Sequence, residues 1–145
     1  MSAVGKSSVL TELARMGYDA VDTDYGDWIH VVDGERMWRE DRIEALLSEP
    51  RTGPLFVQGT VANQGRFYPR FAAVVLLSAP VQVIRERLRS RTTNNFGKTE
   101  IDRARILADI AEVEPLLRAA CTHELDTTGP ITDTVQTLIG IAEQT

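Results

Sequence analysis

Gly5-Lys6-Ser7-Ser8-Val9-Leu10 is the stretch that decides how this chain is read. A Gly-Lys-Ser running straight into an amphipathic helix is the second half of the phosphate-binding pattern G-x-x-x-x-G-K-[ST]. Met1 to Val4 fill its four variable positions, so the pattern's first Gly, and the strand that normally delivers the loop, would fall upstream of Met1. Chemistry explains the residue types. Backbone N–H groups from Val4 to Ser8, with the start of the following helix, make a nest for β- and γ-phosphates. Lys6 adds a point charge on the same oxygens, and Ser7 offers a hydroxyl to Mg²⁺. A bare Gly-Lys-Ser is also common by chance, and an ordinary helix start capped by Ser7 is the plain alternative.

The residues after the loop favour the phosphate reading. The spacing predicts a helix from about Lys6 to Met16, with Val9, Leu10, Leu13 and Ala14 on one face and Gly17 as its stop. A short strand, Asp19 to Asp22, then ends in the polar cluster Thr23, Asp24, Tyr25, Gly26. Beyond it, the pattern predicts a helix over Arg36 to Leu47, a buried strand at Leu55-Phe56-Val57 and a polar loop from Gly59 to Pro69. Ala72 to Leu77 is the strongest strand, continuous and apolar as parallel strands buried on both faces tend to be. Pro80 opens a helix over Val81 to about Arg91, and Thr92 to Lys98 reads as a loop. Thr99 to Asp102 resembles a capping box, the next helix should be kinked or interrupted at Pro115, Glu124 to Asp126 is a weak strand, and a last helix starts near Ile131. Strands alternating with helices, without repeats, read as α/β.

Composition sets the outer limits. At 145 residues, 43% hydrophobic and 26% charged, the chain is one domain that needs no disulfide or metal staple. A net charge of −5 with only 6% aromatic residues argues against a nucleic-acid or anionic-membrane binder, since both need a basic surface. Cys121 stands alone and there is neither a signal peptide nor a membrane-spanning run, which together point to a cytoplasmic protein. His30 and His123 lack partners at metal-ligand spacing and read as structural or surface residues, and Cys121, with no local base, reads as buried rather than catalytic.

Other phosphate-loop classes fit poorly. Asn94-Asn95-Phe96-Gly97-Lys98 is no guanine reader, and the strands run into Gln58-Gly59 and Ser78-Ala79-Pro80 rather than the acidic pair of motor and AAA-type ATPases. In arrangement the chain instead resembles the small P-loop kinases of the shikimate kinase, gluconate kinase and adenylate kinase group. The resemblance rests on the Gly5-Lys6-Ser7 loop, Asp22-Thr23-Asp24 after the next strand, Gly34-Glu35 before Arg39, a basic helix with Arg85, Arg87, Arg89 and Arg91, and the late turn Asp126-Thr127-Thr128-Gly129-Pro130.

That likeness implies a three-layer P-loop NTPase fold over residues 1–145, with a parallel sheet of order 2-3-1-4-5, the first strand absent from this chain and a lid at about 89–100. Without that strand its neighbours would stand ~9.6 Å apart, leaving backbone groups unpaired. The likeness also implies ATP and Mg²⁺, with Ser7 and Asp22 holding the metal, Asp24 serving as base or contact for an acceptor hydroxyl, Arg87 packing near adenine, and Arg91 closing with the lid over the transferring phosphate. Asn63, Gln64, Arg66 and Tyr68 lie either on the loop nearest the acceptor cleft or on an ordinary Gly- and Asn-containing surface loop, Arg39 could meet an anionic acceptor, and Trp28 and Trp38 either wall that pocket or pack in the core. The expected activity is Mg-dependent phosphoryl transfer from ATP to a small molecule. A nucleotide-binding relative without efficient transfer is the alternative.

Overall fold

The structure is a computed structural model that describes residues 5–90 and 100–144. Val4, Arg91, Thr99 and the expected loop over Thr92 to Lys98 lie outside the described residues.

Helix α1, Lys6–Arg15, buries Val9, Leu10 and Leu13, whereas Ala14, expected on the same face, is exposed. Gly17 ends it at φ +95°, donating its N–H to Ala14 O while Tyr18 N–H reaches Leu13 O at 3.1 Å. Those two bonds are the Schellman closure that a glycine after the last turn permits. Strand β1, Asp19–Asp22, comes next and pairs in parallel with β4, Leu55–Gln58, in the register Asp19↔Leu55 to Asp22↔Gln58.

Between them lies an element that the sequence pattern misplaced. Arg36 to Trp38 is not helical but belongs to β3, Glu35–Trp38, antiparallel to β2, Ile29–Val32. The cause is the turn: Asp33 at φ +52° and Gly34 at φ +80° join Val32 and Glu35. Positive φ at both central residues is the two-residue hairpin connection that matches the twist of paired strands, and Asp-Gly is its preferred sequence. Helix α2 therefore begins only at Glu40 and ends at Ser48. The loop expected over Gly59 to Pro69 likewise contains a 3₁₀ helix, Gln64–Arg70, which buries Phe67 against Trp38 at a ring separation of 6.0 Å.

Strand β5 is Val75–Ser78, shorter than the apolar run suggested, because its parallel partner β6, His123–Asp126, meets it only from Val75 onward. Helix α3 spans Val81–Ser90 and α4 spans Glu100–Ala120, running unbroken through Pro115, so the expected interruption does not occur. A proline removes one backbone donor and crowds the preceding turn, and here the helix continues for five residues beyond it to Ala120. Helix α5, Ile131–Glu143, closes the chain.

The main core joins Leu10 and Leu13 of α1, Leu77 of β5, Ile84 and Leu88 of α3, Ile106 and Ile110 of α4, and Val135 and Ile139 of α5. Each such side chain contributes roughly 1.5–3 kcal/mol on burial, so α1 is held by residues from nearly the full length of the chain. A smaller cluster of Trp38, Ile43 and Phe67 fastens the hairpin and α2. Among the described residues the two parallel pairs do not hydrogen-bond to each other. A cavity of about 190 Å³ lies between them, lined by Phe56 and Val57 on one side, Val75 and Leu77 on the other, and Val9 and Leu13 of α1.

Candidate functional site

Parallel pairing of β1 with β4 brings their carboxyl ends together beside the start of α1, and the polar residues singled out in the sequence meet there. Gly5 holds φ +94°, a left-handed conformation that glycine adopts without strain, and Val9 N–H closes the first turn onto its carbonyl at 3.0 Å. Ser7 Oγ donates to Asp22 Oδ2 at 2.9 Å, so the loop hydroxyl touches the first carboxylate of Asp22-Thr23-Asp24. Asp24 N–H donates to Asp22 Oδ1 at 3.1 Å, the side-chain-to-backbone bond that shapes an aspartate turn.

Lys6 is half-buried and donates to Thr60 Oγ1 at 2.8 Å. Desolvation pushes its ammonium below the usual 10.5, and the negative charges of Asp24 and Asp22 partly offset this. A cation kept close to two carboxylates and an exposed loop is equipped to meet an incoming anion. Ser8 is exposed on the same turn.

Gln58 and Thr23 form the floor. Thr23 is 1% exposed, donates its hydroxyl to Gln58 O at 2.8 Å and accepts the indole N–H of Trp38 at 2.9 Å. Gly59 fits against this pair only because it has no side chain: a Cβ there would stand 2.5 Å from Thr23 Oγ1. The Gln58 amide nitrogen donates to Asp24 Oδ2 at 3.2 Å and also to Asp22 Oδ1. Arg36, from β3, stands 3.5 Å from Asp24 Oδ1.

Several other residues have structural partners. Arg39 pairs with Asp27 at 3.1 Å, and Trp38 is 4% exposed in the smaller core. Asn63 accepts from Trp38 N–H at 2.8 Å and donates to Trp38 O at 3.0 Å, clamping the hairpin. Gln64 accepts from Val61 N–H and donates to Tyr68 Oη, while Arg66 pairs with Glu40. Arg87 donates to Thr127 Oγ1 at 3.1 Å and to Thr127 O, fastening α3 to the late turn. Cys121 is half-buried, and no group of three or more His, Cys, Asp or Glu among the described residues could hold a metal by itself. Thr60 and Gln58 escaped the sequence reading as site residues. For Gln58 a signal existed: a polar side chain ends the apolar strand Leu-Phe-Val-Gln.

Comparison with known proteins bears on this geometry directly. A shikimate kinase of Halorhodospira halophila (strain DSM 244 / SL1) is 31% identical over 142 residues, covering 86% of this chain and 79% of the relative. The profile of a family described as an AAA domain matches residues 1–108. This chain belongs to the P-loop small-molecule kinases of the NTPase superfamily. The two matches agree on the nucleotide-binding superfamily, and the likeness to the kinase extends over most of the chain. Membership carries nucleotide-dependent phosphoryl transfer as the general chemistry of the group. The short parallel strands and flanking helices are compatible with its fold, and no described helix is long and apolar enough to cross a membrane.

Proposed function

We propose that this protein transfers the γ-phosphoryl group of ATP to a hydroxyl of a small molecule. One observation carries the reading: α1 delivers Lys6 and the Ser7 hydroxyl to the carboxylates that end β1, with Ser7 Oγ 2.9 Å from Asp22. Backbone N–H groups from Val4 to Ser8 would cradle the phosphates, and Lys6 would leave Thr60 for their oxygens. Arg87, behind the late turn, would pack near adenine, and Arg91 would close over the transferring group from a lid at about 89–100.

Asp24, exposed at the end of the turn, would take the proton of the acceptor hydroxyl as its oxygen bonds to the γ-phosphorus and the bond to ADP breaks. The hydroxyl of Ser7 and the carboxylate of Asp22 are hard oxygen donors side by side, the donor type that suits Mg²⁺. When bound with nucleotide, that ion would neutralise phosphate charge. Most of the catalysis is then positioning and charge neutralisation. The sheet belongs to the same reading. The order 2-3-1-4-5 would set the two parallel pairs on either side of a central strand, and residues 1–145 would form one domain.

Shikimate, the acceptor named by the relative, is the first to try, followed by other small alcohols and acids. ADP should form in proportion to acceptor, and Mg·ATP should raise the melting temperature because it binds the native state. ATP binding with no acceptor-dependent ADP across the set would leave only a nucleotide-binding role.

A further inference from the structure

Asp22 and Asp24 are two like charges within reach of one nitrogen, that of the Gln58 side-chain amide. Such a pair repels; Lys6 and Arg36 offset part of that repulsion, and the amide of Gln58 bonds both carboxylates at once. The amide nitrogen carries two N–H groups and no charge, so it supplies one donor to each carboxylate. An arginine or lysine in its place would also bridge them, but it would cancel negative charge that a divalent cation needs.

We infer that Gln58 is a positioning residue that sets the rotamer of Asp22 for a divalent cation bound with nucleotide and, through the same amide, holds Asp24 toward the acceptor. The inference rests on the phosphoryl-transfer reading and adds a residue to it. Three observations converge on position 58. The parallel register sets Gln58 directly opposite Asp22. Its backbone carbonyl accepts from both Thr23 N–H, at 3.2 Å, and Thr23 Oγ1, so main chain and side chain together grip three consecutive residues of the turn. Its side chain is also set at a cost. Gln58 is 8% exposed, and its Oε1 is buried with no hydrogen-bond partner among the described residues. A buried acceptor is seldom left unmatched, since that forfeits its hydration with no return. Turning the amide over would face Oε1 onto two carboxylate oxygens. The carboxylates therefore dictate the orientation.

The test is Gln58→Met, which keeps the length of the side chain, removes the unmatched oxygen and deletes both donors. Asp22 and Asp24 are partly or fully exposed and can turn to water, so the fold should survive. Mn²⁺ binding to the complex with ADP, read by electron paramagnetic resonance, should weaken at least about tenfold, as loss of a partner that orients metal ligands typically does. ADP affinity without metal should stay within about twofold. In transfer assays the Mg²⁺ concentration needed for half-maximal rate should rise. Unchanged Mn²⁺ affinity in the variant, with normal binding by the unmutated protein, overturns the inference alone. Absence of Mn²⁺ binding by the unmutated protein with ADP overturns the inference together with the reading beneath it. Should the variant fail to fold, nuclear magnetic resonance of the unmutated protein decides. The Gln58 NH₂ protons should be protected from exchange and shift when Mg²⁺ is added with ADP; free exchange and unmoved signals would contradict the role.

Discussion

Lys6 illustrates how one side chain couples stability to function. Its ammonium is partly withdrawn from water and its folded-state affinity for a proton is reduced below the ordinary 10.5. A lysine depressed in this way opposes folding while it is charged, and the penalty is relieved as pH rises toward 10.5, since the unfolded chain then holds more protons than the folded one. Lys6→Ala should therefore melt at or slightly above the temperature of the unmutated protein at pH 7, with the difference shrinking as pH approaches 10.5. Nucleotide affinity should fall about 10- to 100-fold, the worth of a hydrogen bond to a charged group. Calorimetric titration with ATP checks this, and unchanged affinity would remove Lys6 from the site. Gly59→Ala tests the packing beneath. Its Cβ would press on Thr23 Oγ1 at 2.5 Å and on the Trp38 indole at 3.0 and 3.1 Å, so about 1–3 kcal/mol of stability should be lost in urea melts. Equal midpoints would show that Thr23 and Trp38 give way freely. At this scale Lys6, Ser7, Asp22 and Asp24 could be singled out as candidates because their spacing is a property of the chain itself, and the structure brings them together. The roles of Thr60 and Gln58 arise from strand register and a contact 54 residues apart in sequence, which local pattern does not carry.

Among the elements, short strands and turns decide what was legible. Strand β1 was predicted closely because Gly17 and the polar cluster after Asp22 bound it, and helix α5 because Ile131, Val135, Leu138 and Ile139 keep helical spacing. The β2–β3 hairpin was missed because Arg36-Met37-Trp38 continues smoothly into the helical spacing of Ile43, Leu46 and Leu47. Asp33-Gly34, the pair that forces the turn, held the contrary signal. Helix α4 and strand β6 are joined by a local ionic cluster. Arg118 Nε donates to Glu124 Oε1 at 2.8 Å, its Nη2 donates to Glu114 Oε1 at 2.6 Å, and Ser78 Oγ of β5 donates to Glu124 Oε2 at 2.8 Å. The Arg118 guanidinium, followed by the Ser78 hydroxyl, holds the Glu124 carboxyl down at about 2, against its usual 4.5. Linkage gives the sign: the stabilisation is complete above pH 4.5 and is lost as pH falls through about 2. Glu124→Gln should accordingly flatten the acid arm of the stability curve between those values, with a modest effect at pH 7 because the pair is exposed to water. A variant whose acid melting curve overlays that of the unmutated protein would show that the cluster contributes nothing.

For the whole molecule, the continuous apolar runs at Leu55 and Ala72 identified parallel strands, and the alternation of elements identified α/β. The arrangement of the two strand pairs around α1 was beyond composition and periodicity, since it depends on long-range packing of Val9, Leu10 and Leu13 against β5, α3 and α5. That packing aims the start of α1 at the carboxyl ends of β1 and β4, the geometry on which the proposed phosphoryl transfer to a small molecule rests. The direct test is a single-turnover reaction with ATP carrying an isotopic label in its γ-phosphoryl group, Mg²⁺ and each candidate acceptor, analysed by mass spectrometry. The account predicts labelled acceptor and ADP in equal amounts, with transfer abolished in Asp24→Asn. Label released only as inorganic phosphate, or kept in bound ATP with every acceptor, would contradict it.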